Sequence, residues 1–306
     1  MKNKFVIYTV MTGGYEQVSQ PECVDPRFDY ILFSNDFEDT HIGIWQIRTI
    51  DCELDRDSKR LSRYPKSHPE SLLSEYEASL YIDANLSIAD NWIYERFIEL
   101  YNKGCVYSGI KLIMSGRNCI YDHAFDMSIA GVVHDYDAIV QCHELYVRGF
   151  PRHFGLNENN VIFRLHTKQM EEVDREWWWW ISNYTFRDQL SLMYCLWNHN
   201  IPINEYFLPE GEDTHNSNRF NFVSHNKTAA VKSRKWVKRG MIEKLREQSW
   251  NYNRDKYSEQ WYNVCKSKCP KLTLRIWGIF TILYNIPNFV ISLFTRTSVV
   301  IERLKQ

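Results

Sequence analysis

The segment Ser79-Leu80-Tyr81-Ile82-Asp83-Ala84-Asn85 sets a carboxylate at the end of an apolar run, with a second oxygen-bearing side chain after one intervening residue. Hard divalent cations such as Mg²⁺ and Mn²⁺ take oxygen ligands and share them with substrate phosphates, so Asp83 is a candidate metal and phosphate-site residue. Asn85 offers only a neutral amide oxygen, which weakens the expected hold on a cation. The plainer reading of the same residues is an Asx turn that ends a strand.

Arg60-Leu61-Ser62-Arg63-Tyr64-Pro65-Lys66-Ser67-His68-Pro69 gathers four potentially cationic groups in nine positions. Cations beside a diphosphate offset the charge that builds on a departing nucleotide, in part replacing a metal; a solvated charged face is the alternative. Arg187-Asp188-Gln189-Leu190-Ser191 puts an acid at the start of an amphipathic run. That acid either answers the orphan amide donors of a helix start or accepts a hydroxyl proton. Trp177 to Trp180 are consecutive and therefore point in different helical directions, so they divide between core and surface. Five histidines between His123 and His166 show no metal-ligand spacing.

The elements that position these groups alternate between strand and helix. Lys4 to Val10, Tyr30 to Ser34, Trp45 to Ile50 and Ser79 to Asp83 read as strands, and Thr12-Gly13-Gly14-Tyr15 as a loop after the first. Residues 57–77 are helix-compatible, and Asp90 to Tyr101 and Arg187 to Asn198 carry helical apolar spacing. Such alternation predicts an α/β fold with a largely parallel sheet flanked by helices, binding ligands at the carboxyl ends of its strands.

Lys plus Arg at 37 against Asp plus Glu at 38 leaves no global field for a nucleic-acid partner. Eight scattered cysteines, of which only Cys265 and Cys269 are closely spaced, read as reduced thiols, and the apolar run near Met1 is too short for a signal peptide. A cytoplasmic location is the expectation. The domain plan is 1–225 for the α/β unit, 226–270 for a basic helical extension and 271–306 for an amphipathic tail. Within the tail, residues 276–295 hold no formal charge, yet Thr281, Asn285, Asn288 and Ser292 recur on one helical face and Arg275 and Arg296 flank the stretch. That pattern suits a helix lying on the inner face of a membrane, with packing on the domain or on another subunit, or a membrane span, as the alternatives.

Taken in order, several motifs resemble the glycosyltransferase-like family of plant mucilage and turgor-regulation proteins and bacterial polysaccharide-locus proteins. They are Thr12-Gly13-Gly14-Tyr15, Arg63-x-x-Lys66-x-His68-Pro69, Tyr81-Ile82-Asp83-Ala84-Asn85, Arg117-Asn118-Cys119-Ile120-Tyr121, Gly149-Phe150-Pro151, Arg164-x-His166 and Arg187-Asp188-Gln189-Leu190-Ser191. The resemblance spans roughly residues 4–200. It implies a GT-A-type, Rossmann-like fold and a nucleotide-diphosphate sugar donor with Asp83 near the diphosphate. A polysaccharide or lipid-linked acceptor is expected, and Mn²⁺ or Mg²⁺ at Asp83 is a candidate cofactor whose absence is the alternative. By the same resemblance Thr12, Gly13, Gly14, Tyr15, Arg63, Lys66, His68, Asp83 and Asn85 become donor-site candidates. Asp188, Arg187 and His166 become catalytic candidates, and Arg117, Tyr121, Arg164 and Gln189 acceptor-side ones. Met114-Ser115 and His123 stand where the family pattern has His-Pro and Glu. A sugar-binding protein without turnover is the alternative these departures support.

Overall fold

The computed structural model describes residues 3–14, 18–53, 57–112, 118–129, 132–133 and 135–222. Tyr15, Arg117, the Met114-Ser115 departure, the basic extension and the tail lie outside the described residues.

In chain order the elements are β1 (Phe5–Val10), β2 (Phe28–Phe33), β3 (His41–Ile42), β4 (Trp45–Arg48), α1 (Ser58–Leu61), α2 (Pro69–Leu72), β5 (Ala78–Ile82), β6 (Leu86–Ile88), α3 (Trp92–Asn102), β7 (Tyr107–Lys111), α4 (Ile120–Ile129), α5 (Asp135–Val147), β8 (Asn157–Leu165), α6 (Lys168–Asn183), α7 (Leu192–Asn198) and β9 (Phe220–Phe222). Seven strands form the main sheet in the order β3-β4-β2-β1-β5-β8-β7. β1 pairs in parallel with both β2 and β5, and β2 with β4; β8 runs antiparallel to both β5 and β7. The sheet is therefore largely parallel, with β3 and β8 reversed, and the chain is a mixed α/β protein of GT-A-like, Rossmann-like form. β6 and β9 pair as a separate antiparallel ribbon.

Both faces of the sheet are buried, which is why β1 and β5 read as continuous apolar runs rather than alternating ones. Val6, Tyr8, Tyr81 and Ile162 pack with α6 and α7 on one face, and Ile7, Leu80, Ile82 and Phe163 with α3 on the other. In α6, Trp177 and Trp180 are buried while Trp179 is 42% exposed, so the tryptophan run does divide between core and surface.

Two expected helices are shorter than their sequence patterns. Within 57–77, Pro65 and Pro69 lack the amide hydrogen a continuing helix needs, and the segment breaks into α1, a 3₁₀ turn Pro65–Ser67 and α2. Arg187 to Asn198 splits into a 3₁₀ turn Asp188–Leu190 and α7, which begins after Ser191.

Order along the sheet reverses at β1: successive strands run outward through β2 and β4 on one side, and β5 lies on the other. The carboxyl ends of β1 and β5 thus frame the switch point where open α/β sheets bind ligands.

Candidate active site at the β1–β5 switch point

Asp83 follows the end of β5 directly, and Thr12 lies two residues past the end of β1. The Thr12 hydroxyl donates to the Ser58 carbonyl at 2.7 Å, and the Gly14 amide donates to Asp36 Oδ2 at 2.9 Å. Gly13 holds φ +77°, and a Cβ there would lie 3.2 Å from the Ser58 Cβ, so the turn needs glycine both for its backbone angle and for its approach to α1.

The segment carrying Arg63 and Lys66 is fixed from two directions. Asp57 caps α1, accepting from the Lys59 and Arg60 amides at 3.1 and 3.2 Å. Arg60 then donates to the Ile181 and Tyr184 carbonyls at 2.9 and 2.8 Å, tying α1 to the end of α6. Arg60 was legible only as a charge; its spacing gives no sign of this anchoring role.

From that frame Lys66 projects into the interior at 2% exposure. Its Nζ donates to Asp188 Oδ2 at 2.5 Å, lies 3.5 Å from Asp83 Oδ1 and sits 4.5 Å above the Tyr81 ring. Asp83 Oδ1 also accepts from the Tyr81 hydroxyl at 2.6 Å, and the Asp83 amide donates to the Asn160 carbonyl at 2.8 Å. One ammonium thus bridges two carboxylates more than a hundred residues apart in sequence.

The backbone of Asp188 is held as firmly as its side chain: Trp177 Nε1 donates to the Asp188 carbonyl at 3.0 Å. Burial opposes the Asp188 charge, but Lys66, Arg63 and Arg187 outweigh it and hold the carboxyl well below the usual carboxylate range. Arg187 is pulled in both directions, lowered by burial and by Arg63 and raised by Asp188 and Asp83, with a net lowering. Its Nε is buried without a hydrogen-bond partner. Lys66 thus contacts both Asp83 and Asp188, and the charges of Arg63 and Arg187 also act on the buried Asp188 carboxylate, where they are screened less than in water.

Gln189 joins the other wall. Its amide donates to Asp188 Oδ1 at 3.1 Å, its side chain donates to the Asn157 carbonyl at 3.0 Å, and its Oε1 lies 3.2 Å from His123 Nε2. His123, one of the departures from the family pattern, thus adjoins the residue next to Asp188. Asn85 is partly exposed just beyond Asp83.

Other candidates are not at this edge. Arg164, opposite Ser79 on β8, is fully buried; its Nη1 donates to the Tyr8 hydroxyl at 3.0 Å and its Nε lies 3.3 Å from Asp174 Oδ2. It is an interior ion-pair residue, because the antiparallel course of β8 carries it away from the carboxyl end of β5. His166 follows at the opposite end of β5, roughly 15 Å from Asp83 at about 3.3 Å per residue. Its Nδ1 donates to the Tyr76 carbonyl and its Nε2 accepts from the Ser79 hydroxyl, both at 2.9 Å, and burial lowers its pKa to about 4. The structure thus separates His166 from Asp188 and from the reacting face assigned to it by resemblance.

His68 stacks on Tyr64 with ring centroids 4.2 Å apart, packs edge-on to Trp178 and donates from Nδ1 to the Tyr64 carbonyl at 2.9 Å, so its contacts brace the turn rather than the pocket. The Tyr121 hydroxyl donates to the Phe150 carbonyl at 2.8 Å within the core beneath α4.

Two polar groupings had no sequence signal. Glu158, Asn160 and Thr214 form a hydrogen-bonded cluster at the start of β8, with Thr214 Oγ1 donating to Glu158 Oε2 at 2.9 Å and Asn160 Nδ2 donating to Thr214 Oγ1 at 2.7 Å. Among the described residues, ligand atoms of Cys119, Asp122 and His153 lie within 4.8 Å of one another, a set split between α4 and the loop after α5 that spacing could not reveal. Asp122 there pairs with Arg152 at 3.2 Å, and His153 Nδ1 contacts Asn118 Oδ1 at 2.7 Å. Asp83 belongs to no such three-ligand set among the described residues.

With the site described, the chain can be set beside known proteins. It is similar to a glycosyltransferase. The solved apo structure of WbbM, a bifunctional glycosyltransferase, aligns with 68% of this chain and 39% of its own at 13% identity and a TM-score of 0.38. The chain thus spans about two fifths of that enzyme's length. No protein-family profile and no curated protein matches. No helix of the described residues is long and apolar enough to cross a membrane.

Proposed function

We propose that the chain is a glycosyltransferase, moving a sugar, of hexosyl type, from a nucleotide-diphosphate sugar to a polysaccharide or glycolipid acceptor. The observation that carries this reading is the buried Lys66 bridge between Asp83 and Asp188 at the switch point, with the charges of Arg63 and Arg187 also acting on Asp188. Cations and carboxylates brought together in this way suit a substrate with an anionic leaving group on one side and a carbon that becomes electron-poor on the other.

In the transfer, the bond between the sugar's anomeric carbon and the diphosphate oxygen breaks, and its electron pair leaves with the nucleoside diphosphate. The acceptor hydroxyl oxygen bonds to the anomeric carbon and gives up its proton. Arg63, Lys66 and Arg187 stabilise the added negative charge on the leaving group. Asp188, ionised and fixed by Lys66 and Trp177, positions the sugar; held so far below the usual carboxylate range, it is a poor acceptor for the hydroxyl proton. The Thr12–Gly14 turn lies alongside the donor. The basic extension and the tail 271–306 hold the enzyme on the inner face of the membrane, beside a lipid-linked acceptor.

The test is incubation of the purified chain with a panel of nucleotide sugars, reading thermal stabilisation and release of free nucleoside diphosphate. One donor should stabilise the protein and be slowly hydrolysed, and Asp83→Ala should abolish the release while the protein stays folded. Stabilisation without release, even when oligosaccharide acceptors are added, identifies a binding protein without turnover. A protein unaffected by every donor is not this enzyme.

A further inference from the structure

A GT-A-like fold implies a divalent cation at the strand-end acid, and the chemistry of the residues around Asp83 disagrees with that implication. A tightly held Mg²⁺ or Mn²⁺ wants several free anionic or carbonyl oxygens. Asp83 Oδ1 already accepts the Tyr81 hydroxyl and faces the Lys66 ammonium at 3.5 Å, and the second position of the motif, Asn85, is a neutral amide. Asp188, the other carboxylate at the site, is 3% exposed and bound to the same ammonium at 2.5 Å. No further Asp, Glu, His or Cys side chain completes a three-ligand set with Asp83 among the described residues. A dication on Asp83 would share its carboxylate with the buried Lys66 ammonium, 3.5 Å from Oδ1.

Resting on the transferase reading above, we propose that the site binds its nucleoside-diphosphate sugar without a divalent cation. Lys66 takes the position of charge that a metal would hold between the two carboxylates, and Arg63 and Arg187 supply the remaining counter-charge to the diphosphate. Arg187 is built for such a ligand: it is partly buried, its Nε has no hydrogen-bond partner, and a guanidinium presents paired donors that match phosphate oxygens.

The experiment is calorimetric titration of the full chain with UDP, GDP, CDP, ADP and dTDP, each in EDTA and again in millimolar Mn²⁺ or Mg²⁺. One of these nucleotides is expected to bind in EDTA with a Kd within about threefold of its value with metal. Arg187→Gln and Lys66→Gln should each weaken that EDTA binding at least tenfold, and Arg187→Gln, at a partly exposed position, provides the reading if the buried Lys66 variant fails to fold. Binding seen only with metal, or tightened tenfold or more by it, overturns metal independence and leaves the donor site standing. Absence of binding in both conditions removes the donor site, and this inference with it.

Discussion

Residues that look alike in sequence are assigned opposite tasks by their surroundings. Lys66 and Arg164 are both buried cations, yet Lys66 bridges two acids at the sheet's open edge while Arg164 is locked against Tyr8 and Asp174 within the interior. The residue types and the motif order were legible; which end of a strand each occupies was not, because β8 opens with the polar Asn157, Glu158, Asn159 and Asn160, which hide it as a strand, and its antiparallel course is set by long-range pairing with β5 and β7 that no local pattern encodes. His166 shows the consequence. Burial depresses its pKa to about 4 from an ordinary 6.5, so between those values the unfolded chain binds more protons than the native one. Native stability should therefore fall as pH drops from about 6.5 to 4, by up to on the order of 3 kcal/mol from this group. Urea unfolding across that range should show the slope, and His166→Asn should flatten it; an unchanged slope in the variant would assign the loss to other groups.

Among the elements, the strands at the centre of the sheet were the most readable and the 3₁₀ turns the least. β1, β2, β4 and β5 all lie within their expected ranges to a residue or two; β1, β2 and β5 are doubly buried parallel strands, which leave nearly continuous apolar runs, whereas β4 is marked mainly by Trp45 and Ile47. The turn Asp188–Leu190 was expected as helix, and tertiary contacts from Lys66 and Trp177 decide otherwise by holding Asp188 at both its carboxylate and its carbonyl. Trp177→Phe keeps most of the buried ring and removes only the indole donor. It should cost about 1–2 kcal/mol in chemical denaturation and lower kcat more than it raises KM. An equal stability with unchanged kcat would show that the turn holds its shape without α6. In the loop after β1, Gly13→Ala meets both the positive φ and the 3.2 Å approach to Ser58, and about 1–2 kcal/mol of stability should be lost in the same assay, with donor KM raised.

At the scale of the molecule, the open edge of the sheet collects the Thr12–Gly14 turn, Asp83, Lys66 and Asp188 from segments that span most of the described chain. The uncharged stretch 276–295 with its basic flanks is a sequence feature, and its proposed role is tested by removing it. Deleting 271–306 should shift the protein from the vesicle-bound to the free fraction in flotation with anionic liposomes, while nucleotide binding stays within twofold. Retention on vesicles would overturn the tail's role and assign membrane contact to another part of the chain, the basic extension 226–270 first.

β8 has one property that bears on how this protein could be altered. Its Asn160 carbonyl fixes the amide of Asp83, and three residues earlier its Asn157 carbonyl fixes the side chain of Gln189, beside Asp188. The proposed donor and reacting walls hang from the same short length of backbone. Acceptor preference could therefore not be re-engineered by exchanging the 187–191 segment alone, since a graft that moved Asn157 would carry Asp83 with it; a working chimera has to bring its own β8.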